Sequence, residues 1–444
     1  MIATLNISKS QRNKALIAST IIFALAFATW TLFSIIGLKI KDNLGLTNAE
    51  FGILIATPVL TGALSRLFLG VLADQFGGRI VFVLVLFVTA AATWGISLVN
   101  SYPMYLLMAL GVGLSGGTFA IGVAYVSRWY PKEKQGTALG IFGMGVAGSA
   151  LTSFCAPLLM ASYGWDGTAR IYAVILAVAA IIFWFATEDD PTFKERRSSK
   201  QAHSFLKQFE PLKRLQVWRF SLYYFFVFGG FVALALWLPK YYMGVYGLDI
   251  KTAGLLTTLF ALPGGIFRAA GGILSDKHGA RRVMYWTFIV CVLCTFILSY
   301  PATTYIIKGI KGDIQFTLVT SLPVFVIMTL ILSIFMSFGM GAVFKHIPVY
   351  YPNHVGSVGG MIGLIGGLGG FILPIVFGFL NDIIGVWTGC FMLLFALVIS
   401  AFVWMHVTII FLERKEHPSL RGPKFLPELH AQVTSQIQAQ EDKL

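Results

Sequence analysis

The chain alternates long apolar segments with short polar ones over most of its length. An apolar segment of about 20 residues can cross the roughly 30 Å hydrocarbon core of a bilayer as a helix. By this criterion the pattern predicts twelve crossings, at 15–38, 51–73, 80–99, 103–126, 137–162, 170–187, 219–243, 252–274, 283–300, 321–345, 355–380 and 386–412. We therefore expect an all-α integral membrane protein with twelve transmembrane helices.

A long polar interval in the middle of the chain separates the first six apolar segments from the last six. This division predicts an N-terminal six-helix bundle at 1–187, a cytoplasmic linker at 188–218, a C-terminal six-helix bundle at 219–412 and a cytoplasmic tail at 413–444. A second polar stretch, at 301–315, predicts a long loop on the outer side.

Composition supports the membrane assignment and gives the chain an orientation. Hydrophobic residues make up 57% of the sequence and charged residues only 12%, which lies outside the range of soluble domains. Most of the 33 Lys and Arg residues fall in loops on one side, and cytoplasmic loops retain such an excess. We expect a multi-pass protein of the cell inner (plasma) membrane, in contact with its lipids, with both termini cytoplasmic. The net charge of +14 is spread over many loops, which argues against a nucleic-acid partner.

One spaced string of residues occurs twice, with a constant offset of 202 positions. The first copy comprises Arg66, Gly70, Asp74, Gly77 and Arg79, and the second comprises Arg268, Gly272, Asp276, Gly279 and Arg281. Both copies lie toward the end of the second apolar segment of their half, so the two halves are parallel repeats. In transporters built this way the substrate site forms near the mid-plane between the halves.

The arginine that heads each copy lies deep in an apolar segment. Arg66 precedes Asp74 by eight residues, or about 12 Å of helix, which places it near the bilayer centre if Asp74 marks the rim. A cation there costs roughly 2.5 to 3.5 kcal/mol on insertion scales. None of the 19 acidic residues lies at mid-helix depth. We therefore predict that Arg66 and Arg268 form a paired anion site. A structural arginine held by a carboxylate is the alternative.

The charged residues at the ends of the two strings allow two interpretations. Asp74, Arg79, Asp276 and Arg281 would present opposite charges at the cytoplasmic surface, next to glycines that permit a tight turn. A gate latch and an ordinary charged loop both fit this pattern.

Other kinds of chemistry find little support in the sequence. All four cysteines lie in predicted membrane helices, and no His, Asp or Glu constellation has the spacing of metal ligands or of a catalytic site. We expect no cofactor, no metal and no enzymatic activity. A membrane receptor that binds an anion without moving it remains an alternative of another class.

The chain resembles the major facilitator superfamily and, within it, the nitrate/nitrite porter family. The narrower likeness is carried by Thr61-Gly62-Ala63-Leu64-Ser65-Arg66, by Phe267-Arg268, and by two glycine-rich segments. The glycines of those segments are Gly143, Gly145 and Gly148 in the first, and Gly366, Gly367, Gly369 and Gly370 in the second. Val146 departs from the family pattern, in which a polar asparagine is usual at this position.

This resemblance implies secondary active transport of nitrate, nitrite or both by alternating access, as nitrate/nitrite antiport or nitrate/proton symport, with a place in nitrate assimilation. Arg66 and Arg268 would clamp the anion inside an aromatic sleeve formed by Phe33, Phe119, Tyr224, Phe228 and Phe344. The expected architecture is two six-helix bundles that work as a monomer. Because Val146 removes one amide donor, another small anion such as a short carboxylate remains an alternative substrate.

Overall fold

The computed structural model describes residues 8–130, 132–189, 213–310, 312–350 and 355–416. These residues are almost entirely helical. The N-terminal half contains α1 (Lys9–Trp30), α2 (Phe33–Leu44), α3 (Asn48–Phe76), α4 (Gly78–Gly95), α5 (Tyr102–Gly113), α6 (Thr118–Ser127), α7 (Lys132–Gly143) and α8 (Gly148–Ala186). The C-terminal half contains α9 (Leu215–Tyr224), α10 (Phe231–Tyr246), α11 (Ile250–His278), α12 (Ala280–Ser299), α13 (Leu322–Tyr350), α14 (Val355–Ile384) and α15 (Gly389–Glu416).

The predicted number of crossings is confirmed once one long helix is divided. Within the described residues, 11 continuous helical stretches are long and apolar enough to span a membrane. One of them, Ala138–Ala186, has 49 residues, or about 74 Å of helix, which is more than twice the thickness of a hydrocarbon core. Gly164 breaks this stretch with a left-handed φ of 72°. The stretch therefore supplies two crossings, and the total is twelve.

The sequence repeat is also visible in the backbone. Gly45 and Gly247 end α2 and α10 with φ values of 64° and 63°. Gly77 and Gly279 follow α3 and α11 with φ values of 95° and 83°. Both pairs keep the offset of 202 positions, and residues with a side chain rarely adopt these conformations. The two halves thus share their turns as well as their residue spacing.

The polar stretch predicted as a long loop contains a β-hairpin between α12 and α13, a secondary structure that the sequence analysis did not predict. Antiparallel strands β1 (Thr303–Gly309) and β2 (Gly312–Leu318) pair with Thr304 opposite Thr317 and Tyr305 opposite Phe316. Isoleucine, threonine and aromatic residues favour strands, which accounts for the hairpin. We refer below to the end of the helices that holds this hairpin as the hairpin end, and to the end where α1 begins as the terminal end.

Four crossings are interrupted by short irregular segments close to their middle. The breaks fall at Thr31–Leu32 between α1 and α2, and in the 3₁₀ segments Leu114–Gly117 and Met144–Ala147. The fourth is a π-helical segment, Phe225–Gly230, between α9 and α10. Stretches of 3₁₀-helix inside a helix often mark functional hinges, and single π-helical turns occur often at functional sites. These breaks lie next to residues that the sequence assigns to the anion site.

The two halves pack against each other through glycine and alanine contacts. A side chain at Gly367 in α14 would meet Ala63 of α3 at 2.8 Å, and one at Gly265 in α11 would meet the Ala147 backbone at 2.5 Å. Small residues let helix backbones approach closely in a membrane. The linker predicted at 188–218 and the tail predicted at 413–444 lie mostly outside the described residues, so the domain boundaries stay predictions.

Candidate anion-binding site

Arg66 and Arg268 extend from corresponding helices, α3 and α11, and both side chains are half-buried. The Arg66 Nε donates to the carbonyl of Gly116 at 3.2 Å, within its own half. Its Nη1 donates to the carbonyl of Gly363 in α14 at 3.3 Å, across to the other half. Arg66 therefore connects the two halves of the molecule at mid-depth.

One aromatic ring brings the two arginines together. The guanidinium carbons of Arg66 and Arg268 both lie 5.5 Å from the centroid of Phe119. The two cations are therefore no farther apart than twice that distance, although they come from opposite halves. Each cation also faces a ring of the C-terminal half, Phe228 at 5.4 Å from Arg66 and Phe344 at 5.5 Å from Arg268.

Tyr224 adds a hydroxyl group to this cluster. Its oxygen accepts a hydrogen bond of 3.2 Å from Nη2 of Arg268. The Tyr224 ring stacks on Phe228 with a centroid distance of 5.1 Å and meets Phe344 edge-on at 5.1 Å. The structure thus brings four of the five predicted sleeve residues to the arginine pair.

The fifth predicted sleeve residue, Phe33, lies elsewhere in the core. It is fully buried at the start of α2, and within the described chain its ring does not face either guanidinium group. A phenylalanine that the sequence did not predict, Phe142, packs next to the site: its ring stacks on Phe119 at 5.9 Å and on Phe23 at 4.9 Å. Phe142 directly precedes Gly143 of the glycine-rich segment. This position is the only feature of the sequence that could have indicated that Phe142 lies near the site.

Neither arginine has an acidic partner among the described residues. Arg66 uses two of its N–H groups on backbone carbonyls, and Arg268 uses one on Tyr224. A guanidinium group has five N–H donors, so both retain donors that an oxyanion can accept. A carboxylate lock of the kind considered from the sequence is therefore not present in the described part of the structure.

The glycine-rich segments allow backbone and rings to approach the arginines closely. A side chain at Gly366 would meet the Tyr224 ring at 2.2 Å, and one at Gly369 would meet the Phe225 carbonyl at 2.8 Å. On the other half, a side chain at Gly148 would meet the Ala24 carbonyl at 2.0 Å, which is far below normal contact. A side chain at the other glycines would also meet a neighbour. It would meet Phe23 at Gly145, Arg268 at Gly143, and Val232 at Gly370.

Two of the four charged residues predicted as a gate, Arg79 and Asp276, make contacts within their own half. Arg79 donates to the backbone carbonyl of Trp184, and its guanidinium lies over the Trp184 ring at 4.1 Å. Asp276 forms an ion pair with Lys345 of α13. Arg281 is in the first turn of α12, while the side chain of Asp74 lies outside the described residues. A latch between the halves stays a prediction.

A family model described as Major Facilitator Superfamily matches residues 18–310 and 253–437. The "Probable nitrate/nitrite antiporter NarK1" of Thermus thermophilus is 41% identical over 439 residues, covering 95% of this chain and 97% of the relative. The "Nitrite extrusion protein" of Bacillus subtilis (strain 168) is 31% identical over 384 residues, covering 86% and 91% of the two chains.

Solved structures agree on the fold. A point mutant of the nucleoside transporter NupG superposes with a TM-score of 0.68 at 13% identity, covering 88% of this chain and 99% of that one. A bacterial homologue of the human lysosomal transporter Spinster, in an inward-facing and unoccupied conformation, superposes with a TM-score of 0.66 at 20% identity. The match covers 85% of this chain and 84% of that one. Together with the family match and the twelve crossings in two repeated halves, these likenesses show that the chain belongs to the major facilitator superfamily.

Proposed function

We propose that this protein transports nitrate and nitrite across the membrane by alternating access, with Arg66 and Arg268 holding the anion. The observation that carries the proposal is the meeting of two guanidinium groups from opposite halves at one ring, Phe119. Relatives named as a nitrate/nitrite antiporter and a nitrate/nitrite transporter, matched over 95% and 83% of the chain, support the choice of substrate. The protein is a transporter and not an enzyme.

The geometry suits a small planar oxyanion. An arginine presents a flat fork of donors, and two such forks can bind an ion with several oxygens in one plane. The surrounding rings form an apolar wall that lowers the local dielectric constant, which strengthens the charge interaction between the arginines and an anion. Tyr224 adds a neutral hydroxyl donor beside Arg268.

Exchange of one anion for another follows from the charges of the site. Two like charges held at mid-depth oppose closure of the halves around them when the site holds no anion, whereas a bound anion offsets the repulsion. Among the described residues no carboxylate lies at the arginine pair to carry a proton. We therefore favour nitrate/nitrite antiport over nitrate/proton symport.

Counterflow into proteoliposomes tests the proposal. Vesicles loaded with nitrite are expected to accumulate labelled nitrate, and the reverse pairing is expected to work as well. Formate and chloride serve as competitors, and a run at two pH values separates antiport from proton symport. Nitrate binding without flux would instead favour a receptor, and preferential flux of formate would favour a short carboxylate as the substrate, the alternative that Val146 leaves open.

Replacing Tyr224 by Phe is expected to raise KM for nitrate about fivefold and to change kcat little. The substitution removes the hydroxyl that accepts from Arg268 at 3.2 Å but keeps the ring stacked on Phe228. A hydrogen bond to a charged group contributes about 1.5 to 3 kcal/mol, and water replaces part of it. Initial rates of counterflow measure the effect. Tyr163→Phe, at an exposed tyrosine, is the matched control.

We propose the plasma membrane as the location of the protein, with the terminal end on the cytoplasmic side. The excess of Lys and Arg in the loops at that end supports this orientation. The hairpin end then faces outward.

A further inference from the structure

A buried lysine lies at the hairpin end, far from the arginine pair. Lys240 in α10 is only 6% exposed. It is twelve positions beyond Phe228 along the same crossing, which corresponds to about 18 Å of helix. Lys240 therefore cannot contact an ion that is bound between Arg66 and Arg268.

Three aromatic rings surround the ammonium group of Lys240. Its Nζ lies 4.1 Å from the ring centroid of Trp237 and 5.3 Å from those of Phe51 and Trp387. Trp237 and Trp387 belong to the C-terminal half, whereas Phe51 belongs to α3 of the N-terminal half. Phe51 therefore covers the cation from across the boundary between the halves.

The ammonium group has no hydrogen-bond partner among the described residues. Asp382, an acid of α14 at the same end, is engaged with α3: its carboxylate accepts from the backbone N–H of Ala49 at 2.7 Å and from the backbone and side-chain N–H groups of Asn48 at 3.2 and 2.6 Å. Contact with rings replaces only part of the hydration of an ammonium ion. The contacts of Phe51 with Lys240 and of Asp382 with Asn48 and Ala49 join the two halves at the hairpin end, which is therefore closed in this structure. The burial of Lys240 is a cost of this closed state that opening relieves.

Opening of the hairpin end must separate α3 from α10 and α14. This movement takes Phe51 away from Lys240 and gives the ammonium group access to water. An exposed cation in a mouth lined by rings attracts anions and raises their local concentration. A lysine suits such a role because its compact, hydrated charge binds an anion weakly enough to pass it on.

We propose that Lys240 is an outer docking site for the transported anion, covered by Phe51 when the hairpin end is closed and presented when it opens. The proposal rests on the anion transport proposed above. It adds a second binding position about 18 Å from the central pair, on the side of the hairpin.

The test compares KM from the two sides of the membrane. Vesicles of opposite orientation carry the intact protein, and nitrate counterflow is measured with external nitrate at the hairpin end or at the terminal end. Lys240→Gln is expected to raise KM about tenfold at the hairpin end relative to the terminal end, and to remove most of the dependence of that KM on ionic strength. Lys240→Arg retains the charge and is expected to retain the low KM. Lys251→Gln, at an exposed lysine of the same end, is the matched control.

A second variant tests whether the Phe51 ring covers the ammonium group, and its result does not depend on whether Lys240→Gln folds. Phe51→Ala uncovers the ammonium group and is expected to lower KM at the hairpin end by about threefold. Equal changes of KM at both ends in Lys240→Gln, or an effect as large in Lys251→Gln, would overturn the docking site. Absence of nitrate flux in the unsubstituted protein would instead overturn the proposed function.

Discussion

Replacing Arg268 by Lys is expected to reduce kcat/KM for nitrate at least about 100-fold, which corresponds to about 2.7 kcal/mol of lost stabilisation. Lysine keeps the positive charge but supplies a point charge in place of a planar fork, and it cannot donate to Tyr224 and to two oxygens of an anion in one plane. The same substitution at Arg66 also removes the Nε contact with the Gly116 carbonyl, so an effect at least as large is expected.

Counterflow in proteoliposomes measures this loss, and the amount of protein extracted from membranes reports on folding. Arg170→Lys is the matched control, since Arg170 is an exposed arginine that pairs with Asp166 at 3.6 Å. Near-normal uptake by both central variants would show that the forked geometry of these two side chains is not required, and the clamp would have to be abandoned.

The second large effect is expected at the contact between α3 and α14. A side chain at Gly378 would lie 2.3 Å from the carbonyl oxygen of Asn48, which is backbone and cannot move aside without shifting α3. Gly378→Ala is therefore expected to prevent full closure of the hairpin end and to slow exchange about 100-fold. Binding of nitrate at equilibrium is expected to change much less, because the arginine pair lies far from this contact.

Hydrogen exchange provides the second measurement for this variant. The first turn of α3, whose N–H groups are bonded to Asp382, is expected to lose protection in Gly378→Ala. Gly360→Ala is the matched control on the same helix, because a side chain there meets no atom within 4 Å. Unchanged protection together with normal exchange would mean that the two helices tolerate the added methyl group, and that this contact does not limit the cycle.

The sequence predicted those features that depend on composition, spacing and charge. Twelve crossings follow from apolar length, and the repeat follows from spacing alone. The meeting of Arg66 with Arg268 was predictable because two cations at one depth, without acids nearby, indicate a shared anion. The residues Phe119, Tyr224, Phe228 and Phe344 came from resemblance to a family.

Other features depend on which face of a helix packs against which neighbour. A helix that is apolar on all sides has no polar and apolar periodicity in its sequence, so the sequence does not indicate its packing face. The pattern therefore did not show that Phe142 stacks on the Phe119 ring, or that the Phe33 ring faces neither guanidinium group in the described part of the chain. Backbone carbonyls as partners of Arg66 were missed because an acceptor on a main chain has no sequence signature. The hairpin within 303–318 was not predictable because its strands are exposed at nearly all positions and so lack an alternation of apolar and polar residues.

The ring shared by the two arginines makes the carrier asymmetric. Phe119 follows the 3₁₀ segment whose Gly116 carbonyl accepts from Arg66, so ring and Arg66 belong to one half and move together. Arg268 belongs to the other half, and a displacement of a few ångströms takes it beyond the roughly 6 Å over which a ring attracts a cation. We expect the apparent affinity for the anion to differ between the two sides of the membrane, while the gradients of the exchanged anions set the direction of net transport.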